Sequence, residues 1–243
     1  MEALDLPANF TGNLLSYPEQ YLADYVEREA DDDGEVEELP SSAARAGEQS
    51  RLFSNTDGFY PLDWLIEKRG LTEDAIRSAG IGWDGRCFTI PVYDAHGALC
   101  NVVRRPWPAS RGAKYLVMKG RGTQLYPRPL PHGPWIIGEG VLDAILARFV
   151  HGLPVVTATN GQSFPAAWLP LVKDRLVAVA YDVGAEQAMY SRVAQLNAAG
   201  AKAWPVRLAR LGLPDKGDLT TYLMNGGAKD LRRFINDEYR SAA

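Results

Sequence analysis

Glu139 and Asp182 close the apolar runs "WIIGE" and "RLVAVAYD", and Asp218 stands in "PDKGDLTTYL", where a loop enters a helical stretch. Brought together, three such carboxylates make a site for a hard cation such as Mg2+, which prefers oxygen ligands and keeps several waters for phosphate oxygens to replace. An ion of that kind orients a nucleoside triphosphate and neutralises charge during phosphoryl transfer. Taken singly, Asp182 and Asp218 have a plainer role available as helix N-caps; it is the three together that point to metal. Cys87 and Cys100 form no CxxC pair, and His96, His132 and His151 are scattered, so no zinc ribbon or finger is expected. The two thiols read as small apolar packing groups in reducing conditions.

The elements that must position these acids follow from the rhythm of the chain after Trp135. "WIIGE", "LPVVTAT", "RLVAVAYD" and "AKAWPVRLA" read as short apolar strands, separated by the helical stretches "VLDAILARFVHG", "PAAWLPLVK" and "AEQAMYSRVAQLNAAG". Two further helices follow in "DLTTYLMNGGAKDLRRFINDEYR". Strands alternating with helices imply right-handed crossovers and a mainly parallel sheet covered on both faces, with its ligand site at the carboxyl ends of the strands. If the first and third strands are neighbours, Glu139 and Asp182 meet there.

Upstream, Pro61 opens a helix that Gly70 stops, and Thr72 caps a second one with Glu73 and Asp74 in its first turn. "RCFTIPVYD" and "GALCNVVRR" have the spacing of a hairpin, and "AKYLVM" and "GRGTQLYP" continue as short strands and turns. Near the start, "SYPEQYLADYVERE" carries apolar residues at helical spacing. Residues 29–51 are acidic and then small and polar, which predicts a linker with little to bury. The expected division is an acidic segment over 1–58, a small mixed α/β unit over 59–130 and the parallel-sheet domain over 131–243.

Charge is unevenly spread. Residues 1–50 hold 13 acids against Arg28 and Arg45, whereas no acid falls between Asp94 and Glu139, a gap that contains Arg104, Arg105, Arg111, Lys114, Lys119, Arg121 and Arg128. A basic stretch within a chain of net charge -4 fits either a local polyanion site or an unevenly charged solvated surface. No apolar run approaches the ~20 residues of a membrane-spanning helix, and "MEALDLPANF" lacks the order of a secretory signal, so a cytoplasmic protein is expected. No GxGxxG turn follows the strand "WIIGE", where "GEGVLDA" puts Glu139 between its two glycines, and no GxxxxGK[ST] occurs, which argues against a dinucleotide fold and a P-loop.

"IIGEGVLDAI", "VVTATNG", "VAVAYD" and "KGDLTTYL" resemble the successive motifs of a Toprim domain, the catalytic fold of DnaG-type primases, topoisomerases and some nucleases. The preceding "GLTEDAIRSAGIGWDGRCFTIPVYDAHGALCNVVRR" and "AKYLVMKGRGTQLYP" are similar to the segment before Toprim in DnaG-type and phage primases, which narrows the resemblance to those. It implies a parallel, Rossmann-like Toprim sheet preceded by a small mixed α/β subdomain. Within it, Glu139 matches the invariant acid, proposed as a metal-associated general base or acid, and Asp143 a second acid that orients the site. Asp182 matches the first Asp of Asp-x-Asp, and Asp218 a further acid that assists metal binding. The pattern fails at Gly184, where the family has its second metal-binding Asp; Glu186 is near enough in sequence to reach back, or to serve as an acid in the first helical turn.

Arg104, Arg105, Lys114 and Arg121 match the region that faces template and nucleotide in primases, and Trp107 and Tyr115 are candidates either to stack on a base or to fill the core. The resemblance thus implies a primase core that joins ribonucleoside triphosphates on single-stranded DNA with Mg2+ or Mn2+. The zinc-binding module that bacterial primases carry before this core is not recognised in the sequence, so a separate zinc-binding subunit and a separate replicative helicase are implied partners, in a phage or plasmid replication system. Two other classes remain: a Toprim protein that binds nucleic acid or a replication partner without catalysis, and a Toprim nuclease.

Overall fold

The computed structural model describes residues 36–54, 61–107, 114–160, 164–214 and 216–242. The helix expected over residues 16–29, and Arg111 in the basic stretch, lie outside them. Helix α1 spans Ser42–Ser54, and α2 (Pro61–Arg69) and α3 (Glu73–Ser78) follow. Thr72 caps α3 as its sequence requires, its hydroxyl accepting the Ala75 N–H at 3.1 Å. Strands β1 (Gly82–Trp83), β2 (Cys87–Tyr93) and β3 (Leu99–Pro106) then form an antiparallel sheet in that order.

The second sheet contains β4 (Leu125–Tyr126), β5 (Trp135–Ile137), β6 (Val155–Ala158), β7 (Leu176–Val179) and β8 (Lys202–Pro205), in the order β4-β6-β5-β7-β8. Pairs β5–β6, β5–β7 and β7–β8 are parallel, and only the edge strand β4 runs antiparallel. Helix α4 (Val141–Ile145) follows β5 and continues as a π-helical turn, Leu146–Val150; α5 (Glu186–Ala198) links β7 to β8. The stretch Ala166–Val172, which contains Pro170, is 3-10 rather than α. Helices α6 (Leu219–Met224) and α7 (Ala228–Ala242) end the chain's described part.

The strands alternate cleanly between two cores. Trp135, Ile137, Val156, Val177 and Val179 pack with Trp168, Leu171, Met189 and Leu196 on one face. Ile136, Val155 and Ala178 face the other way, into a cluster that also takes Leu52, Leu65, Ile76, Phe88, Ile145, Leu146, Leu223 and Leu231. Period-two alternation over a sheet buried on both sides explains why the strands read as continuous apolar runs. The same cluster joins the small mixed unit to the parallel-sheet domain, so the first is fixed against the second by shared apolar packing.

The linker expected over 29–51 is corrected within the described residues. Ser42–Ser54 is a helix because Ala, Glu, Gln and Arg favour one and its few long side chains find partners. Leu52 is fully buried. Glu48 Oε2 accepts the Thr89 hydroxyl at 2.7 Å, Arg45 donates to the Tyr93 hydroxyl oxygen at 2.9 Å, and Arg51 donates to the Trp83 carbonyl at 3.2 Å. Composition understates order where polar anchors replace apolar area. Among the described residues no helix is long and apolar enough to cross a membrane.

Candidate active site

Ile137 of β5 pairs with Val179 of β7, so Glu139 and Asp182, which follow those strands, emerge from neighbouring strands at the carboxyl edge of the sheet. The Glu139 carbonyl accepts the Thr157 hydroxyl of the next strand at 2.8 Å, which fixes the main chain at this exit. Val183 N–H donates to the Gly217 carbonyl at 3.1 Å and ties the turn after Asp182 to the loop carrying Asp218. Asp218 does cap its helix: Oδ1 accepts the Thr221 N–H at 2.8 Å. Asp182 does not, since α5 has Ala185 at its cap position and no side-chain cap there.

Asp143 lies in the first turn of α4, 6 % exposed, with the Thr220 hydroxyl donating to Oδ1. Burial raises its carboxyl above the usual range, Thr220 works against that, and Asp218 adds to it. Asp182 is pushed up to about 7, first by burial and then by Asp143, Glu139 and Asp218, with Lys114 opposing. Four carboxylates therefore share one electrostatic field that is short of positive charge.

Among the described residues no three His, Cys, Asp or Glu side chains stand close enough to hold a metal ion between them. The three-carboxylate cage expected from Glu139, Asp182 and Asp218 is thus not closed: Asp218 turns one oxygen into its helix end. The donor set is still all oxygen, and the raised Asp182 marks a place where a cation is favoured. Such a set fits Mg2+ or Mn2+ held by one or two carboxylates and completed by water and phosphate.

Gly184 has φ +101°, and a β-carbon there would meet nothing within 4 Å. Its N–H donates to Glu186 Oε1 at 3.2 Å, so Glu186 reaches back to the backbone of the turn. The position of the missing second acid thus has a backbone angle that favours glycine. Gly184→Asp is expected to lower stability by about 1–2 kcal/mol, because an L residue resists that backbone angle, and to leave catalysis no higher. A melting curve and a nucleotide-incorporation assay on the variant check both parts.

The four cations expected as one phosphate-binding set are divided. Successive side chains of β3 point to opposite faces. Arg105 is 6 % exposed, its guanidinium 5.3 Å from the Trp64 ring and 5.0 Å from the Tyr115 ring, so its expected display toward a polyanion is corrected to a buried stack. Arg104 points the other way and pairs with Glu37 at 2.8 Å; Arg121 donates to the Glu37 carbonyl. Lys114 is exposed and is the member of the set that acts on both Asp143 and Asp182. Trp107 packs among Trp64, Trp83 and Phe88, with ring centroids 6.2–6.4 Å away, and not on an open surface.

Three contributors have roles at the site that the sequence did not assign them. Tyr115 accepts the Leu142 N–H at 3.4 Å through its hydroxyl oxygen, meeting an otherwise orphan donor in the first turn of α4. Thr220 holds Asp143 from α6. Arg69 stacks on Trp64 at 4.9 Å and lowers the Asp143 carboxyl. Each comes from a remote part of the chain, and only the common tail of "KGDLTTYL" could have drawn attention to Thr220.

No family model and no curated protein matches the sequence. Solved structures do match. The Aquifex aeolicus primase, comprising zinc-binding and RNA polymerase domains, superposes with a TM-score of 0.62 at 17% identity over 80% of this chain and 59% of that one. The chain thus spans somewhat over half of that structure. A DnaG primase catalytic domain bound to single-stranded DNA gives 0.62 and 17% over 80% and 78% of the two chains. A DNA primase domain from Pseudomonas aeruginosa gives 0.59 and 18% over 80% and 76%. The paired sheets, with their acids at the parallel strand ends, are accordingly the fold of DnaG-type primase catalytic cores, a Toprim domain preceded by a small mixed α/β subdomain.

Proposed function

We propose that the protein is the catalytic core of a DNA primase, in which the parallel-sheet domain over 131–243 carries the acids and the unit over 59–130 presents template and nucleotide. The observation that carries this reading is that Glu139 and Asp182, at the ends of adjacent strands, share one field with Asp143 and Asp218 from neighbouring helix starts, faced by Lys114 from the preceding unit. Glu139 and Asp182 would hold a divalent ion, with Asp218 assisting once its cap loosens. Bound there, the ion would orient the triphosphate and offset negative charge at the transferring phosphorus. Glu139 would accept the proton of the attacking ribose hydroxyl. Asp143, fixed by Thr220, positions the first turn of α4 and the field around Asp182. Lys114 would meet the phosphates as a mobile point charge.

A single-stranded DNA template, ribonucleoside triphosphates and Mg2+ or Mn2+ are the ligands this chemistry requires. A zinc-binding primase module and a helicase are proposed partners from the family resemblance. The test is incorporation of labelled ribonucleotides on mixed single-stranded DNA, with each metal in turn and with a no-nucleotide control. Metal-dependent short RNA products are expected. Cleavage of the DNA without added nucleotides would indicate the nuclease. A second reading, a Toprim protein kept for binding, is favoured by Gly184, which supplies no ligand; DNA binding with no product in either metal would select it.

A further inference from the structure

The acidic and basic stretches of the chain meet at Glu37. Its Oε1 pairs with Arg104 Nη1 at 2.8 Å, and its Oε2 accepts the Lys119 N–H at 3.2 Å. Its own N–H donates to the Lys119 carbonyl at 3.1 Å, while its carbonyl takes Nε and Nη2 of Arg121 at 3.2 and 2.9 Å. Val36 lies beside Gly120 and remains 46% exposed. One residue of the acidic stretch therefore occupies two of the cations matched to template and nucleotide contact.

Three features set this contact apart from a structural strut. It is open to solvent, with 31% of the Arg104 and 39% of the Glu37 side chain exposed, and exposed ion pairs add little to stability. Arg121 aims two N–H groups at one neutral carbonyl oxygen, a fork that a charged phosphate oxygen would satisfy more strongly. And Asp31, Asp32, Asp33 and Glu35 precede Glu37 directly, with no Lys or Arg from residue 29 to 44, so the sequence leading into the contact has the charge of a short polyanion. The hydrogen bond from Arg104 holds the Glu37 carboxyl below the usual carboxylate range, which keeps it ionised at neutral pH.

We propose that the segment around Glu37 is a built-in competitor for nucleic acid: it holds the Arg104 and Arg121 side chains when no strand is bound and gives them up to a phosphate backbone. This rests on the reading of the basic stretch as a nucleic-acid surface. Such a competitor raises the threshold for non-specific binding, since a strand must displace a carboxylate before its phosphates reach the arginines. It also mutes salt dependence, because the displaced Glu37 carboxylate takes up salt cations and offsets part of the counterion release from the strand.

The test is binding of labelled mixed-sequence single-stranded DNA at several salt concentrations, using the full chain and its variants Glu37→Gln, Arg104→Ala and the two combined, with melting curves to show that all are folded. Glu37→Gln is expected to bind roughly two- to fivefold tighter at low salt, the increase that loss of an exposed ion pair can supply. The slope of log affinity against log salt should steepen by roughly 0.7 for each additional phosphate that the freed cations neutralise. Adding Arg104→Ala should remove most of the increase. If Arg104→Ala weakens binding while Glu37→Gln matches the native chain, the surface binds DNA but Glu37 does not contest it, and the inference is overturned with the functional reading intact. If no variant binds DNA, or Arg104→Ala changes nothing in either background, the nucleic-acid reading of this surface fails and the inference falls with it.

Discussion

Replacing Glu139 with Gln is expected to lower ribonucleotide incorporation by about 10²–10⁴-fold, the range that a positioned proton-transfer group supplies. The substitution keeps the side-chain shape and removes its charge. The main chain at this exit is held by the Thr157 hydroxyl on the Glu139 carbonyl, a contact the side chain does not enter. Folding should therefore survive. Glu139 is also one of three acids that raise Asp182, so removing its charge relieves repulsion in the metal-free protein and should leave the melting temperature equal or higher. Gain of stability with loss of activity is the behaviour of groups gathered for chemistry at a cost to the fold. Three readings on one variant separate the possibilities: incorporation, melting temperature and single-stranded DNA affinity. Loss of incorporation with the other two retained supports a catalytic acid. Full incorporation in Glu139→Gln would sink the primase mechanism, and a lowered melting temperature would make Glu139 a structural residue.

The parts of this site that were legible are those written in local periodicity. Apolar runs ending on Glu139 and Asp182 predicted strand exits, and the β5–β7 pairing makes those exits neighbours. Arg104 and Arg105 follow a rule that strand periodicity alone supplies: adjacent strand residues face opposite ways, so they cannot serve one surface. Helix α1 was hidden because its order comes from single polar anchors on remote strands, Glu48 to Thr89 and Arg45 to Tyr93, which composition does not record. The bonds that fix the first turn of α4 were hidden for the same reason. Tyr115, before it in the chain, takes the Leu142 N–H and Thr220, after it, holds Asp143, and neither bond has a signature at fixed spacing. Gly184 falls between these cases. Its identity marked a departure from the family pattern, while the positive φ it adopts is visible only in the structure.

Gly140→Ala should be a damaging single-methyl change near the site, and for a reason unrelated to backbone freedom. Gly140 precedes α4 with φ -101° and ψ 138°, an extended conformation open to any residue. What excludes a side chain is Asp143, whose carboxylate folds back against the Gly140 α-carbon so closely that an added β-carbon would overlap Oδ2. Asp143 is buried, and its other oxygen accepts the Thr220 hydroxyl. Displacing it would break that bond without offering water in exchange. The combined cost of overpacking and of a buried polar group losing its partner is about 1–3 kcal/mol. For a chain of this size that corresponds to a drop in melting temperature of roughly 2–12 °C. Incorporation should fall as well, because Asp143 contributes to the field at Asp182. A double-mutant cycle isolates the cause: if the methyl acts by colliding with the carboxylate, Asp143→Ala removes the collision, and the double variant will be more stable than the two single losses predict by about 0.5–3 kcal/mol. Strict additivity would mean that Gly140 is required for something other than making room for Asp143.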